Sequence, residues 1–249
     1  MALGVLVVTG GSRGIGAAIC ELAASRGYDV VVNYSGEHAP AAQVVERVRS
    51  HGREALAVRA DVADEHQVRE LFGAAAELGS LAGVVNNAAI VGPTPGRLDE
   101  QSAATVQRVL EVNVGGVFLC CREAVKRLST KYGGSGGAIV NVSSTAARTG
   151  AAGEWVHYAA TKAAVNTLTY GLAQEVAAEG IRVNAVAPGL VNTGLHEAAG
   201  LPDRLDRLAP AIPIGRPGEP GEIAEAVLWL LSPSASFTAG AVLEVGGGR

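Results

Sequence analysis

The sequence predicts an α/β protein whose doubly wound parallel sheet, of about seven strands, is covered by helices on both faces in a Rossmann-like arrangement. Short apolar runs alternate with segments of helical spacing along the whole chain, which indicates repeated βαβ units. The first apolar run, residues 5–9, ends at a glycine-rich turn that opens a helix. No linker separates two cores, so we interpret residues 1–249 as one domain.

The order of the elements follows from the spacing of the apolar residues. Strands are expected at residues 5–9, 29–33, 55–60, 83–86, 138–142, 181–187 and 241–245. Helices are expected at residues 14–25, 39–50, 64–78, 101–128, 158–179 and 219–231. The long irregular stretch from 191 to 218 contains four prolines. In a compact domain such a stretch is usually a binding loop or a lid, so we predict a substrate loop around residues 190–218.

The composition indicates a well-packed protein of modest negative charge. Hydrophobic residues make up 48% of the chain and charged residues 18%, and the net charge is -4. The sequence has no basic stripe, so we expect no nucleic-acid partner. No uncharged apolar run approaches the length of a membrane span, and residues 1–10 lack the charged start of a signal peptide. We therefore expect neither a membrane anchor nor a leader.

The cysteines and histidines show no metal-binding spacing, so we expect no metal site. The three cysteines are odd in number and two of them are adjacent, at positions 120 and 121. We interpret them as buried thiols in a reducing compartment and expect a cytoplasmic protein. The histidines expected at the surface are His38, His51, His66 and His196.

The glycine-rich turn after the first strand is a candidate phosphate-binding loop. Its sequence is TGGSRGIG, with glycines at positions 10, 14 and 16. Glycines allow a sharp turn and a close approach of the backbone to a pyrophosphate, which then lies at the helix N-terminus. A plain turn is the alternative, but the place of this motif between a strand and a helix favours phosphate binding. The turn residues assigned to a dinucleotide are Gly10, Ser12, Arg13, Gly14, Ile15 and Gly16.

Further motifs accompany this turn, in a fixed order along nearly the whole chain. They are Asp61-Val62, Asn86-Asn87-Ala88-Ala89, Asn113, Ser144, Tyr158-Ala159-Ala160-Thr161-Lys162, and Pro188-Gly189 followed by Thr193. With the TGxxxGxG spacing, they make the chain similar to the short-chain dehydrogenase/reductase family, and most of all to its sugar-dehydrogenase-like and 3-ketoacyl-reductase-like members. The resemblance implies a single dinucleotide-binding and catalytic domain that uses a nicotinamide cofactor.

The end of the second strand bears on the choice of that cofactor. NAD sites usually place a carboxylate there to hold the ribose 2′-hydroxyl, but this chain has Asn33-Tyr34-Ser35. A 2′-phosphate meets no repulsion at such a site. Arg13 offers the phosphate a charge-assisted contact, unless this arginine is simply an exposed loop residue, and Asn33 and Ser35 offer hydrogen bonds. We therefore expect NADP(H) rather than NAD(H).

The resemblance assigns further residues to the nucleotide. Asp61, followed by Val62, matches the position that holds the adenine, although an N-cap of the next helix would also explain an aspartate there. Asn87 and Ala88 match the stretch that lines the nucleotide, and Ala89 replaces the glycine that is usual in the family. The residues matched to the nicotinamide carboxamide contact are Pro188, Gly189 and Thr193.

Tyr158 and Lys162 are the candidate catalytic pair. They are four residues apart, so both project from one face of a helix. A phenol has an ordinary pKa of about 10, and we expect the nearby ammonium to lower it. Tyr158 then exchanges a proton with the substrate oxygen, and the resemblance adds that Lys162 binds the nicotinamide ribose. His157 is an alternative base, which we disfavour because the pair already meets the chemical need.

Ser144 and Asn113 complete the expected catalytic group. Ser144 ends the fifth strand, where its hydroxyl can stabilise oxyanion character on the substrate carbonyl. Its separation from the tyrosine is one residue longer than is usual in the family, so Ser143 is a second candidate. Thr145 fits the usual count but not the usual strand ending. Asn113 lies in a long helix where asparagine is unfavourable. The resemblance gives it a proton-relaying water, and a mere kink is the alternative.

These observations predict an NADP(H)-dependent oxidoreductase that transfers hydride to or from a small-molecule carbonyl or alcohol. A catalytically silent cofactor-binding or scaffold protein of the same fold is the alternative, but no candidate catalytic residue is missing. A sugar-nucleotide epimerase would need a larger domain after residue 219. The resemblance also implies a homotetramer or homodimer, formed through the two long helices and the last strand. Small residues at 115–116 and 163–164 are compatible with close helix contact between subunits, and equally with ordinary core packing.

Overall fold

The computed structural model describes residues 3–194 and 200–249, which form one parallel sheet with helices on both faces. The strands in this part of the chain are β1 Val5–Val8, β2 Asp29–Tyr34, β3 Ala55–Arg59, β4 Leu81–Asn86, β5 Gly137–Val142, β6 Ile181–Pro188 and β7 Val242–Val245. Their order is β3-β2-β1-β4-β5-β6-β7, which confirms the predicted doubly wound α/β fold. The strand order reverses between β1 and β4, and ligands bind at the carboxyl edge of such a switch point.

Helices connect these strands. The α-helices in the described residues are α1 Gly14–Ser25, α2 His38–Ser50, α3 Glu65–Leu78, α4 Ala103–Leu110, α5 Gly116–Leu128, α6 Ala146–Thr149, α7 Val156–Val176, α8 Arg204–Leu208 and α9 Pro220–Leu231. A π-helical turn, Glu111–Gly115, joins α4 to α5. Short 3₁₀ helices lie at Leu98–Glu100, Thr130–Tyr132, Ala177–Glu179, Ala209–Ala211 and Pro233–Ala235.

Two apolar layers hold the helices against the sheet. Successive strand residues point to opposite faces, so Leu6 packs in one layer and Val7 in the other. The helix residues of the first layer include Ile19, Val44 and Val227, from α1, α2 and α9. Those of the second include Leu71, Ala124 and Val165, from α3, α5 and α7. Burial on both faces explains why the central strands are mostly apolar, with Asn86 in β4 and Asn141 in β5 as buried polar exceptions.

Some predicted boundaries differ from the structure by one or two residues. Asp64 precedes α3 as its N-cap, where its carboxylate accepts the backbone N–H groups of His66 at 2.8 Å and Gln67 at 3.2 Å. Helix α7 begins at Val156, two residues before the predicted start. The sequence does not predict α6 or α8, because helices of four or five residues are too short to show a periodic pattern.

One helical run in the described residues, Ala103–Leu128, has the length and apolar composition of a membrane span. It consists of α4, the π-helical turn and α5. Core helices pass the same test, and this run contributes Val112, Val117 and Leu128 to the apolar layer that also contains α3 and α7. We therefore interpret it as a helix that covers the sheet.

The thiols lie where the sequence predicts. Cys20, Cys120 and Cys121 are buried and free, and burial raises the pKa of Cys121 to about 12. The exposed histidines are His38, His51 and His66. The prediction for His196 lies outside the described residues. Within residues 3–194 and 200–249, no three His, Cys, Asp or Glu side chains are grouped so that they could hold a metal ion.

Candidate active site

The glycine-rich turn forms a cradle at the N-terminus of α1, beside the switch point of the sheet. Gly10 and Gly14 have φ values of 60° and 51°, a left-handed backbone that favours glycine. A Cβ at Gly16 would overlap the carbonyl oxygen of Gly10 and lie 2.6 Å from Nδ2 of Asn87. Ser12 and Ile15, in the same turn, are half-buried. Close backbone packing therefore fixes the turn where α1 presents its first N–H groups.

The ends of β1 and β4 hold this cradle together. Oγ1 of the buried Thr9 accepts the backbone N–H groups of Asn87 and Ala88, at 3.0 and 3.1 Å. Nδ2 of Asn87 donates to the carbonyl oxygens of Thr9 and Gly10, at 3.0 and 2.9 Å. Asn87 and Ala88 thus lie directly beside the turn, where the sequence predicts them.

The end of β2 requires one correction to the predicted ribose site. The side chain of Asn33 is buried, its oxygen accepts the N–H of Gly10 at 3.2 Å, and its nitrogen donates to the carbonyl of Ala60 at 2.9 Å. The prediction that it binds a 2′-phosphate is wrong, because these bonds to the main chain already use the amide. Tyr34 is buried as well, with its hydroxyl 2.7 Å from Nδ1 of His38.

Of the residues predicted to contact the 2′-phosphate, Ser35 and Arg13 are exposed. Ser35 follows β2 directly, and the side chain of Arg13 is 69% exposed. Nη2 of Arg13 lies 3.3 Å from Oε2 of Glu37. An exposed ion pair of this kind contributes only about 0–1 kcal/mol, so another anion can draw the arginine away from it.

Asp61 and Val62 follow β3, and both carboxylate oxygens of Asp61 are bonded. Oδ1 accepts the N–H of Ala63 at 3.0 Å, and Oδ2 accepts Nη2 of Arg108 at 2.5 Å. The alternative that Asp61 caps α3 is wrong, because Asp64 is the cap. The bond to Arg108 ties α4 to the loop after β3.

The structure distinguishes the two serine candidates. Ser143 is buried, and its hydroxyl donates to the carbonyl oxygen of Lys162 at 3.2 Å, so it joins β5 to α7. Oγ of Ser144 accepts the N–H of Ala146 at 3.1 Å, and its hydrogen bond to Tyr158 acts to lower the pKa of the phenol. Ser144 is therefore the serine that contacts Tyr158.

Tyr158 and Lys162 share one face of α7, with Nζ of Lys162 5.5 Å from the centre of the Tyr158 ring. Lys162 is buried and donates to the carbonyl oxygen of Val142 at 2.7 Å, and burial lowers its pKa to about 8. Burial also raises the pKa of Tyr158, against smaller lowering effects of the Ser144 hydroxyl and the Arg204 charge. The predicted net lowering of the Tyr158 pKa is therefore wrong, because removing a phenolate from water outweighs these neighbours.

Asn113 lies in the π-helical turn, which interrupts the single helix predicted over residues 101–128. Its buried amide accepts the N–H of Ile90 at 2.9 Å, and donates to the carbonyl of Ile90 at 2.8 Å and to Oγ1 of Thr161 at 3.1 Å. It thus joins the loop after β4 to α7. A Cβ at Gly116 would lie 2.6 Å from Cγ2 of Val62, so this glycine packs within the chain, which is the ordinary core packing that the sequence also allows.

The loop after β6 lies against the cradle and the C-terminal tail. A Cβ at Gly14 would lie 3.3 Å from Cγ2 of Thr193, so the threonine packs on the glycine-rich turn. A Cβ at Gly189, which follows Pro188, would lie 2.7 Å from Cα of Gly246. The structure therefore brings the last predicted motif beside the first.

Trp155 and Val91 form an apolar wall next to the catalytic pair. The guanidinium of Arg204, on α8 of the predicted substrate loop, lies 5.1 Å from the Trp155 ring, and its Nη2 lies 2.7 Å from Oε2 of Glu154. These contacts tie the loop to the wall. Nε2 of the buried His157 donates to the carbonyl of Val91 at 2.8 Å, so this histidine braces the wall.

The cradle fits a nicotinamide dinucleotide. Two of its glycines have left-handed backbones and the third leaves no space for a Cβ, which suits a pyrophosphate at a helix N-terminus. Only β4 separates β1 from β5 in the sheet, so the cradle and the Ser144–Tyr158 contact are roughly 10 Å apart across the strands. An extended dinucleotide can bridge that separation.

Fold and site together define the class of dinucleotide-dependent oxidoreductases built on a doubly wound sheet. Residues 10–249 match the family model described as enoyl-(acyl carrier protein) reductase. The chain belongs to the short-chain dehydrogenase/reductase family, and it is an oxidoreductase acting on CH–OH or C=O groups.

The similarity to known members covers nearly the whole chain. The sequence is 48% identical over 248 residues to the uncharacterized oxidoreductase YgfF of Escherichia coli (strain K12), covering 99% of this chain and 100% of that protein. It is 47% identical over 246 residues to the cis-4-hydroxycyclohexanecarboxylate dehydrogenase of Sinomonas cyclohexanicum, covering 98% and 95%. The solved short-chain dehydrogenase/reductase from Serratia marcescens BCRC 10948 has a TM-score of 0.89 at 35% identity, covering 98% and 97%.

The sequence does not predict three charged residues that lie at this site. Glu37 pairs with Arg13, Arg108 with Asp61, and Arg204 lies on the apolar wall. A single charge on a helix or a loop is normally a solvated surface residue, so the sequence carries no signal for these contacts. Only the folded chain brings each of them to its partner.

Proposed function

We propose that this protein is an NADP(H)-dependent oxidoreductase that interconverts a small-molecule carbonyl and an alcohol, with Tyr158 as general acid and base. The observation that carries the proposal is the contact of Ser144 with Tyr158, beside the buried Lys162 and at the same edge of the sheet as the cradle. One domain then holds both the cofactor and the catalytic group. The loop around residues 190–218 would cover the substrate.

The cofactor assignment is based on the glycine-rich cradle and on the residues at the neighbouring strand ends. When bound, the nicotinamide supplies the hydride-transfer chemistry. The residues assigned to hold the dinucleotide are Gly10, Ser12, Arg13, Gly14, Ile15, Gly16, Tyr34, Ser35, Asp61, Val62, Asn87, Ala88, Tyr158, Lys162, Pro188, Gly189 and Thr193. The absence of a carboxylate at positions 33–35 and the exposed Arg13 support NADP(H) over NAD(H).

In reduction, the hydroxyls of Ser144 and Tyr158 both donate to the substrate carbonyl oxygen. As negative charge develops on that oxygen, Tyr158 transfers its proton to it. Burial raises the pKa of Tyr158, so the phenol is protonated at neutral pH and is ready to donate. The ammonium of Lys162 then stabilises the phenolate that remains. These properties support reduction as the favoured direction.

The proton must return to Tyr158 from solvent. Lys162 is the adjacent proton carrier, with a pKa of about 8. The side-chain amide of Asn113 is already bonded to Ile90 and Thr161. We therefore propose that main-chain atoms of the π-helical turn, and not this amide, hold the water that passes a proton to Lys162. The role of Asn113 is then indirect: its side chain stabilises the π-helical turn whose main chain holds this water.

The proposal is tested by assaying the purified protein with NADPH and with NADH on a panel of carbonyls. The panel includes ring ketones with and without a carboxylate, because one relative is a hydroxycyclohexanecarboxylate dehydrogenase. We expect at least one carbonyl to drive NADPH oxidation, with a lower KM for NADPH than for NADH. Calorimetry that detects no binding of either dinucleotide contradicts the proposal. Tight binding with no turnover on the whole panel favours a silent cofactor-binding protein.

The rate of reduction is expected to fall as pH rises through about 8, the pKa of Lys162. Above this pH the lysine loses the charge that stabilises the Tyr158 phenolate. The measurement is the pH profile of kcat/KM for carbonyl reduction, and a profile that stays flat to pH 10 contradicts the assignment.

The same group predicts the pH dependence of stability. The folded pKa of Lys162 lies below its ordinary value of 10.5, so the unfolded chain binds more protons between these values. The free energy of unfolding contributed by this group should therefore rise from pH 8 to 10.5. In Lys162→Met this contribution should disappear from denaturant titrations, which makes that variant the control.

We propose a homotetramer, with a homodimer as the smaller alternative. Large apolar side chains are exposed on the two long helices, with Phe118 52% and Tyr170 63% exposed. Others, Trp229 and Phe237, are exposed near the C-terminus. A contiguous apolar patch marks a contact with another chain, and we propose that these exposed side chains belong to such patches.

Light scattering after size exclusion should therefore give four times the mass of the chain. Phe118→Glu combined with Tyr170→Glu should reduce this to two chains or one, because the charges would be buried in the contact. The control is Tyr132→Glu, at an equally exposed tyrosine outside the long helices. A monomeric wild-type protein at micromolar concentration contradicts the proposal.

We also place the protein in the cytoplasm. Its three free, buried thiols suit a reducing compartment, where NADPH is available as reductant. Its partner there would be a small-molecule carbonyl or alcohol. Fractionation of cells that express the tagged chain tests this placement.

A further inference from the structure

An arginine to which the proposed function gives no role lies beside the end of β2, where the ribose 2′-phosphate is expected. Arg59 is the last residue of β3, paired in register with Tyr34 of β2. Its Nε donates to the carbonyl oxygen of Ser35 at 3.4 Å. Among the residues that the structure describes, no carboxylate pairs with Arg59, whereas most of the other arginines are in ion pairs. A cation is thus held beside Ser35 without a counter-charge.

A carboxylate follows two residues after Ser35 in the chain. Glu37 is the N-cap of α2, where its side chain makes no capping hydrogen bond and instead pairs with Arg13 at 3.3 Å. The first N–H groups of α2 therefore have no side-chain acceptor at the cap. Apart from its two chain neighbours, Gly36 has no atom within 4 Å of the position that a Cβ would take. Arg13, Glu37 and Arg59 are all exposed, so a phosphate can reach them from solvent.

We propose that Arg59 is a second residue that binds the ribose 2′-phosphate, and that Glu37 is the carboxylate that this phosphate displaces from Arg13. The inference rests on the proposed NADP(H) function and names the groups that set its selectivity. Two cations and one anion leave a net positive charge around Ser35. Arg59 attracts a phosphate dianion and Glu37 repels it, while both act weakly on an uncharged 2′-hydroxyl. The two residues should therefore shift cofactor selectivity in opposite directions.

A purely structural role for Arg59 would give a different result. The strand β3 is at the edge of the sheet, and charged side chains on edge strands prevent pairing with other chains. In that case its replacement would change solubility or association and would leave nucleotide selectivity unchanged. Selectivity for the 2′-phosphate is therefore the property to measure.

The test uses 2′,5′-ADP and 5′-AMP as calorimetric probes, because they differ in the 2′-phosphate and need no substrate. We expect Arg59→Gln to weaken 2′,5′-ADP binding about tenfold and Glu37→Gln to strengthen it about threefold, with 5′-AMP binding unchanged. The controls, Arg47→Gln and Glu46→Gln, make the same charge changes on α2, where the native residues pair with Glu21 and Arg49. Neither control should alter the ratio of the two affinities.

The inference is overturned if Arg59→Gln changes the ratio no more than Arg47→Gln does. It is also overturned if Glu37→Gln leaves 2′,5′-ADP binding unchanged or weaker. An unchanged 5′-AMP affinity shows that each variant is folded. Failure of the proposed function can be distinguished from failure of this inference, because it would appear in the wild-type protein. That protein would bind neither NADP⁺ nor NAD⁺, or it would bind NAD⁺ more tightly than NADP⁺.

Discussion

Replacing Tyr158 by phenylalanine is expected to lower kcat/KM for carbonyl reduction by about 10³-fold, within the range that a positioned general acid contributes. The variant keeps the ring on the apolar wall and removes only the hydroxyl that contacts Ser144. The proton for the substrate oxygen must then come from water, without the alignment that α7 provides. Steady-state kinetics with NADPH and the best carbonyl of the panel measure the loss.

A matched control lies on the same helix. Tyr170 is also in α7 but is exposed, so Tyr170→Phe should leave kcat/KM unchanged. Dinucleotide affinity should stay within about tenfold of the wild-type value in Tyr158→Phe, because Tyr158 is one of many residues assigned to the dinucleotide and the variant removes at most one hydrogen bond to it. If Tyr158→Phe keeps wild-type activity, another group donates the proton and the proposed mechanism is wrong.

The pKa values of the catalytic pair give this mechanism a direction. Burial raises the pKa of Tyr158 and lowers that of Lys162, so both shifts reduce the charge inside the site. A protonated phenol next to a lysine of pKa about 8 is suited to give a proton to a developing alkoxide. Sequence reasoning predicts the pair but not this balance, because a one-dimensional spacing carries no information on burial.

The fold was predictable because its signal is periodic and repeated. Apolar strands such as Val5–Val8 have no polar face, which indicates a parallel sheet covered on both sides. Helices of eleven or more residues show their buried face in the spacing, whereas α6 and α8 are too short to do so. Boundaries are less predictable, since caps such as Asp64 depend on individual hydrogen bonds.

The site was predictable where a motif combines a residue type with a place in the fold. The glycine-rich turn and the Tyr158–Lys162 pair follow strands, and parallel strands bring their carboxyl ends together. Asn33 shows the limit of this reasoning. Its place at the end of β2 suggests a ligand contact, yet its amide is bonded to Gly10 and Ala60. Whether a polar side chain faces a ligand or the backbone depends on its rotamer, which the sequence does not show.

Gly16→Ala is expected to be the most damaging change in the cradle. The added methyl group would overlap the carbonyl oxygen of Gly10 and approach the amide of Asn87, and both belong to the packing of α1 against β1 and β4. Backbone atoms cannot move aside as a flexible side chain can, so the helix N-terminus must shift. We expect dinucleotide affinity to fall by about 10²-fold, the cost of a displacement of about 1 Å in a positioned group. Calorimetry with NADP⁺ measures this loss.

The same overlap should destabilise the protein by about 1–3 kcal/mol, as overpacking of a well-packed site does. Gly73→Ala is the matched control, because Gly73 lies within α3 with no other atom within 4 Å of its missing Cβ. Alanine is the better helix former there, so this variant should be neutral or more stable by up to about 1 kcal/mol. Thermal unfolding should therefore separate the two variants in opposite directions. If Gly16→Ala and Gly73→Ala have equal dinucleotide affinity and equal stability, the turn does not need a glycine at position 16. The close packing around that glycine would then have no role in binding a pyrophosphate.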